Sequence, residues 1–63
     1  MDAGKTGAYL AALRKARGMT QQEAADQLGV SNKTVSKWEN GAGLPDITVL
    51  PALAELYGVT ADD

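Results

Sequence analysis

The side chains with the most to offer a ligand crowd into one short stretch: Asn32, Lys33, Thr34, Ser36, Lys37 and Asn40. Lys33 and Lys37 are four residues apart, the spacing that puts two side chains on one face of a helix. Paired ammonium groups flanked by amides and hydroxyls are donors for anionic oxygens and for the acceptor edges of bases. The plainer alternative is an ordinary solvated helix face. Nucleophilic and metal chemistry have little to draw on. The chain contains no histidine and no cysteine, so it lacks the commonest general base, the thiolate nucleophile and the usual zinc ligands. At 63 residues it has little room for a pocket of the usual ~300 Å³ or more. No enzyme, no cofactor and no metal site are expected.

Those polar side chains need a scaffold, and the local signals describe one made of helices. Lys5 to Arg17 reads as a first helix: Leu10 and Leu13, with Gly7 and Tyr9, form its apolar side, and Gly18 stops it. Thr20-Gln21-Gln22-Glu23 is a capping box, in which the threonine hydroxyl and the glutamate carboxylate each accept the other's backbone N–H. A second helix follows to about Leu28, with Ala24, Ala25 and Leu28 inward, and Gly29 ends it in the left-handed region. Val30 plugs the turn. Ser31 caps a third helix, Asn32 to about Glu39, whose inner stripe is Val35 and Trp38 and whose stop is Asn40-Gly41.

Ala25, then Gly29 four positions on, then Val35 and Trp38 six and nine beyond the glycine, give the spacing of a helix-turn-helix. After it comes a short loop, 41–45. Asp46 and Thr48 compete to cap a fourth helix. Pro51 disfavours Asp46, because proline deep in a helix removes a needed N–H. The expectation is an irregular turn at 46–48 and regular helix from about Val49 to Tyr57, with Leu50, Leu53, Ala54 and Tyr57 as its apolar face. Gly58 stops that helix and Val59 closes the core from below. Thr60-Ala61-Asp62-Asp63 reads as the first turn of a fifth helix, truncated after residue 63.

One domain, 1–63, is all this length provides, with its helix-turn-helix core at 20–39. No apolar run approaches the ~20 residues of a membrane span and no signal peptide is present, so a soluble, cytoplasmic protein is expected. The net charge of −2 runs against the basic balance usual for nucleic-acid binding. Its distribution is uneven. Residues 14–40 carry five bases (Arg14, Lys15, Arg17, Lys33, Lys37) against three acids (Glu23, Asp26, Glu39), net +2. Residues 41–63 carry Asp46, Glu55, Asp62 and Asp63 and no base, net −4. One basic face suits contact with phosphate.

Leu13-Arg14, Met19 to Glu23, Leu28 to Ser31, Val35 to Gly41, Leu44 to Asp46 and Leu50 to Ala54, in that order and at those separations, resemble the Cro/phage-repressor (Xre-like, Cro/C1-type) helix-turn-helix family. The resemblance runs from Thr6 to the C-terminus. It implies an all-α, lambda-repressor-like bundle of four to five short helices, with Asn32–Glu39 as recognition helix. It departs at Ala24, where the family usually carries a larger apolar residue, so looser packing of the second helix is expected.

The resemblance also implies roles. Asn32, Lys33 and Lys37 would contact bases, while Asn32 also fits a capping role. Gln21, Thr34, Ser36 and Asn40 would contact phosphate, together with amides of Gly41 to Gly43, although the glycines also simply turn the chain. Arg14 and Glu39 would form a partly buried ion pair, and Trp38 and Gly29 would be structural. The implied function is sequence-specific binding of double-stranded DNA, as a homodimer on half-sites, hence transcriptional regulation and repression. The competing reading is an antitoxin-type module that also binds DNA and holds a protein partner with its acidic half.

Overall fold

The computed structural model describes residues 2–58; the expected closure by Val59 and the expected start of a fifth helix lie outside them. Four α-helices and no strand occur among the described residues: α1 Ala3–Ala16, α2 Gln21–Leu28, α3 Asn32–Glu39 and α4 Leu50–Tyr57. A 3-10 turn, Ile47–Val49, leads into α4.

Local chemistry sets most boundaries. The Thr20 hydroxyl accepts the Glu23 N–H at 3.1 Å and Glu23 Oε1 accepts the Thr20 N–H at 2.9 Å, so the capping box is complete. Ser31 Oγ accepts the Thr34 N–H at 3.2 Å and starts α3. Gly29, at φ 72°, closes α2 in the left-handed region, where a side chain would be strained. Two boundaries differ from expectation. α1 begins earlier than Lys5, because Asp2 Oδ1 accepts the Lys5 N–H and acts as N-cap. At α4, neither Asp46 nor Thr48 is the cap. Asp46 Oδ1 accepts both the N–H and the hydroxyl of Thr48, which caps the 3-10 turn and holds the Asp46 carboxyl below the usual carboxylate range. α4 then starts at Leu50 with no side-chain cap, and Pro51 falls in its first turn, where its missing N–H costs little.

The core is one cluster of Leu10, Ala25, Val35, Trp38, Leu53 and Tyr57, flanked by Leu13, Met19, Leu28, Val30, Val49 and Leu56. Apolar burial of this kind supplies most of the driving force for a chain so short. Ala24 is completely covered but stands outside the contiguous cluster, so the expected looseness of α2 does not leave that methyl exposed.

Two residues placed on inner faces by the sequence are corrected. Tyr9 is exposed, because the buried side of α1 is centred on Gly7 and Leu10, and Tyr9 is about 100° around the helix from Leu10. Leu50 is also exposed, as are Ile47 and Leu44. Its angle on α4 is right, but it lies in the first turn, where the helix has run past the core.

Gly7 marks the closest approach in the fold. A Cβ there would clash with the Trp38 carbonyl oxygen and lie 2.8 Å from that of Glu39. Glycine thus lets α1 rest directly on the C-terminal turn of α3. Arg17, leaving α1, reaches the other end of the bundle: its Nε donates to the Tyr57 carbonyl at 3.4 Å and its guanidinium lies over Gly58. A cation there complements the negative end of α4.

Candidate nucleic-acid interface

The inner side of α3 is anchored and its outer side is open. Val35 is 1% exposed and Trp38 7%, so the indole is a core anchor. Lys33 and Lys37 are both exposed. Asn32, Thr34 and Ser36 are half-buried, and Asn40 is exposed at the end of the helix. The two ammonium groups therefore share a solvent-facing surface that is free to approach a ligand.

What holds α3 at this pitch is a charged joint among three helices. Arg14 Nε donates to Glu39 Oε2 at 2.7 Å and Arg14 Nη2 to Glu39 Oε1 at 2.9 Å. The third guanidinium nitrogen, Nη1, donates to the Met19 carbonyl at 2.8 Å, holding the α1–α2 turn. The side chains are 11% and 5% exposed, so the fork geometry acts largely out of water. Burial pushes the Glu39 carboxyl up. Hydrogen bonds from Arg14 and Gln21 and the charges of Arg14 and Lys15 outweigh it and hold the carboxyl below its ordinary value. On the other side, the Glu39 hydrogen bond raises the Arg14 guanidinium further above its ordinary value, against the opposing effect of burial. The expected pair is present.

The remaining polar residues are less free than the sequence suggests. Gln21 Nε2 donates to Glu39 Oε1 at 3.0 Å, so this amide is part of the joint and has one N–H left for phosphate. Asn40 Nδ2 donates to Ser36 Oγ at 3.2 Å, and the hydroxyls of Thr34 and Ser31 are 2.9 Å apart. Asn32 Nδ2 donates across the turn to Gln22 Oε1 at 3.4 Å; Ser31 alone supplies the side-chain cap of α3. Two amides of the glycine loop are corrected: the Gly41 N–H is bonded to the Trp38 carbonyl at 3.2 Å and the Ala42 N–H to the Lys37 carbonyl at 2.9 Å. Both amides close the end of α3 and are not donors waiting for a phosphate. Sequence reasoning missed the close approach at Gly7, the reach of Arg17 to Tyr57 and the bond from Gln21 to Glu39. Each depends on a partner 18 to 40 residues away, or on a helix crossing that no local pattern encodes.

Two short helices joined at a left-handed glycine, the second exposing polar and cationic groups over a buried tryptophan, define a helix-turn-helix domain of the DNA-reading type. Comparison with known proteins agrees. The family model described as helix-turn-helix matches residues 10–63, and the chain belongs to that family, in its Cro/C1 branch. It is 39% identical over 51 residues to the transcriptional activator BcrR of Enterococcus faecalis, covering 81% of this chain and 25% of that one. It is 37% identical over 54 residues to the cryptic phage CTXphi transcriptional repressor RstR of Vibrio cholerae, covering 86% and 48%. In structure it matches the clp gene regulator ClgR from C. glutamicum with a TM-score of 0.85 at 25% identity, over 100% of this chain and 82% of that one. The chain thus spans a quarter to about half the length of these two curated relatives.

Proposed function

We propose that this domain binds double-stranded DNA sequence-specifically, with α3 in the major groove, and acts in the cytoplasm as a transcriptional repressor. It is a binding module rather than an enzyme. The observation that carries the reading is the outward placement of Lys33 and Lys37 over an inward Trp38. Asn32, Lys33 and Lys37 read base edges, and Gln21, Thr34, Ser36 and Asn40 meet backbone phosphates. A single module makes few contacts, so a homodimer on half-sites about 34 Å apart supplies the affinity. Named relatives include both an activator and a repressor. Repression is favoured because a groove-filling module needs only to occupy a promoter to block it.

The test is selection of bound sequences from random duplex DNA, followed by titration of the best site. Lys37→Ala changes base preference at one or two positions, whereas Gln21→Ala weakens all sites similarly. Unchanged binding in both variants overturns the assignment of this face. A second reading, an antitoxin-type module with a protein partner, is favoured by one feature. Leu44, Ile47 and Leu50 are each exposed, Ile47 at 78%, on the acidic half of the chain. Co-purification of a stable stoichiometric complex through Ile47 would support it.

A further inference from the structure

Asn32 is tied to α2 by a relay that begins at a carboxylate. Gln22 Nε2 donates to Asp26 Oδ1 at 2.8 Å. An ionised carboxylate only accepts, so this bond decides which end of the Gln22 amide faces which way. Its Oε1 is left to accept, and it accepts from Asn32 Nδ2 at 3.4 Å. The same logic passes to Asn32. Its NH2 end is engaged on α2, and the Oδ1 end is left for another partner. An asparagine amide has no such preference by shape alone, since its N and O ends are nearly identical in size.

We propose that Asp26 and Gln22 are positioning residues for base discrimination: they fix the polarity of the Asn32 amide, so that it meets a base acceptor-first. This rests on the reading of α3 as the groove-reading helix. The consequence follows from the purine edges. Adenine presents a donor at N6 beside the N7 acceptor, whereas guanine presents the O6 acceptor at the same place. Oδ1 facing that position accepts from adenine and is repelled by guanine. A flipped amide would do the reverse. An Asn32 free to turn over would therefore tolerate both purines, and one held by Gln22 selects adenine. Neither Gln22 nor Asp26 needs to touch DNA for this.

The test uses the intact chain, its selected duplex and the same duplex with G·C in place of A·T at the position sensitive to Asn32→Ala. Asp26→Asn removes the compulsion on Gln22, because an amide at position 26 both donates and accepts. It lowers adenine-over-guanine discrimination at that one position by about threefold or more, with the other positions unaltered. Gln22→Ala does the same. The paired exchange Gln22→Glu with Asp26→Asn keeps the net charge and rebuilds the relay, with the donor at 26 and a pure acceptor facing Asn32, so discrimination returns. Side-chain amide resonances of Asn32 in the DNA-free protein give the independent readout, and they shift in Gln22→Ala. Selective DNA binding with unmoved resonances and unchanged discrimination overturns the relay alone. Discrimination lost equally at every position assigns these residues to general stability and also overturns it. Shifted resonances in a protein that selects no sequence overturn the groove reading, and the specificity role with it.

Discussion

Removing the Glu39 carboxylate tests the joint that sets the pitch of α3. Glu39 accepts three hydrogen bonds, two from Arg14 and one from Gln21, with its side chain 5% exposed. Glu39→Ala strands the Arg14 guanidinium, 11% exposed, with the Met19 carbonyl as its one remaining partner among these contacts. Breaking such a pair from one side costs about 3–5 kcal/mol, much of it the penalty of an uncompensated buried charge. A domain of this size has roughly 3–9 kcal/mol in total, so the variant loses about a third of its stability or more. At about 4–8 °C per kcal/mol for a small domain, the melting temperature falls by roughly 12 °C or more. Far-ultraviolet circular dichroism and the fluorescence of Trp38, the one tryptophan of the chain, both follow the transition. Replacing both partners, Arg14→Leu with Glu39→Leu, recovers much of the loss, because no charge is left stranded. A drop of less than about 4 °C in Glu39→Ala would place the pair with surface ion pairs worth up to ~1 kcal/mol and refute the argument. The pH dependence gives a second check. Because the Glu39 carboxyl is held below its ordinary value of 4.5, the folded state binds fewer protons than the unfolded state as pH falls through that range. The stabilisation is therefore complete above that value and lost as pH drops through the lower folded one. Glu39→Gln flattens this acid limb.

Gly7→Ala drives a methyl into the carbonyls of Trp38 and Glu39 and destabilises by more than about 2 kcal/mol. Gly43→Ala, where a Cβ meets nothing within 4 Å, stays within about 0.5 kcal/mol in the same thermal melts. Tyr57 gives an alkaline signature: burial first, and then the charge of Glu39, push its phenol above its ordinary 10.0 against the opposing charge of Arg14. That contribution is complete below the ordinary value and lost as pH rises through the folded one, so Tyr57→Phe is less sensitive to base in denaturant melts at high pH. Ile47→Ser, at a position 78% exposed, leaves the folding stability unchanged to within about 0.5 kcal/mol. A weaker complex measured by sedimentation in that variant would locate a protein contact there.

The sequence by itself determined the helix-turn-helix. The Thr20–Glu23 box, Ser31, Gly29 and Gly58 act on partners within one turn of chain, through hydrogen bonds or a left-handed φ that needs no tertiary context. Val35 and Trp38 could be placed inward, and Lys33 and Lys37 outward, because helical periodicity fixes their relative angles once the helix is granted. Arg14 and Glu39 were paired only through the family resemblance; nothing in their own spacing of 25 residues requires it. Tertiary structure alone decided the rest. Gly7 is needed because α1 crosses α3 at contact distance, Gln21 turns to Glu39 because α2 packs on α3 and brings it within reach, and Leu50 is exposed because the core ends before it. Periodicity gives each side chain a direction around its own axis. Where the axes cross, and how far the core extends along them, is set by the packing of all the helices at once.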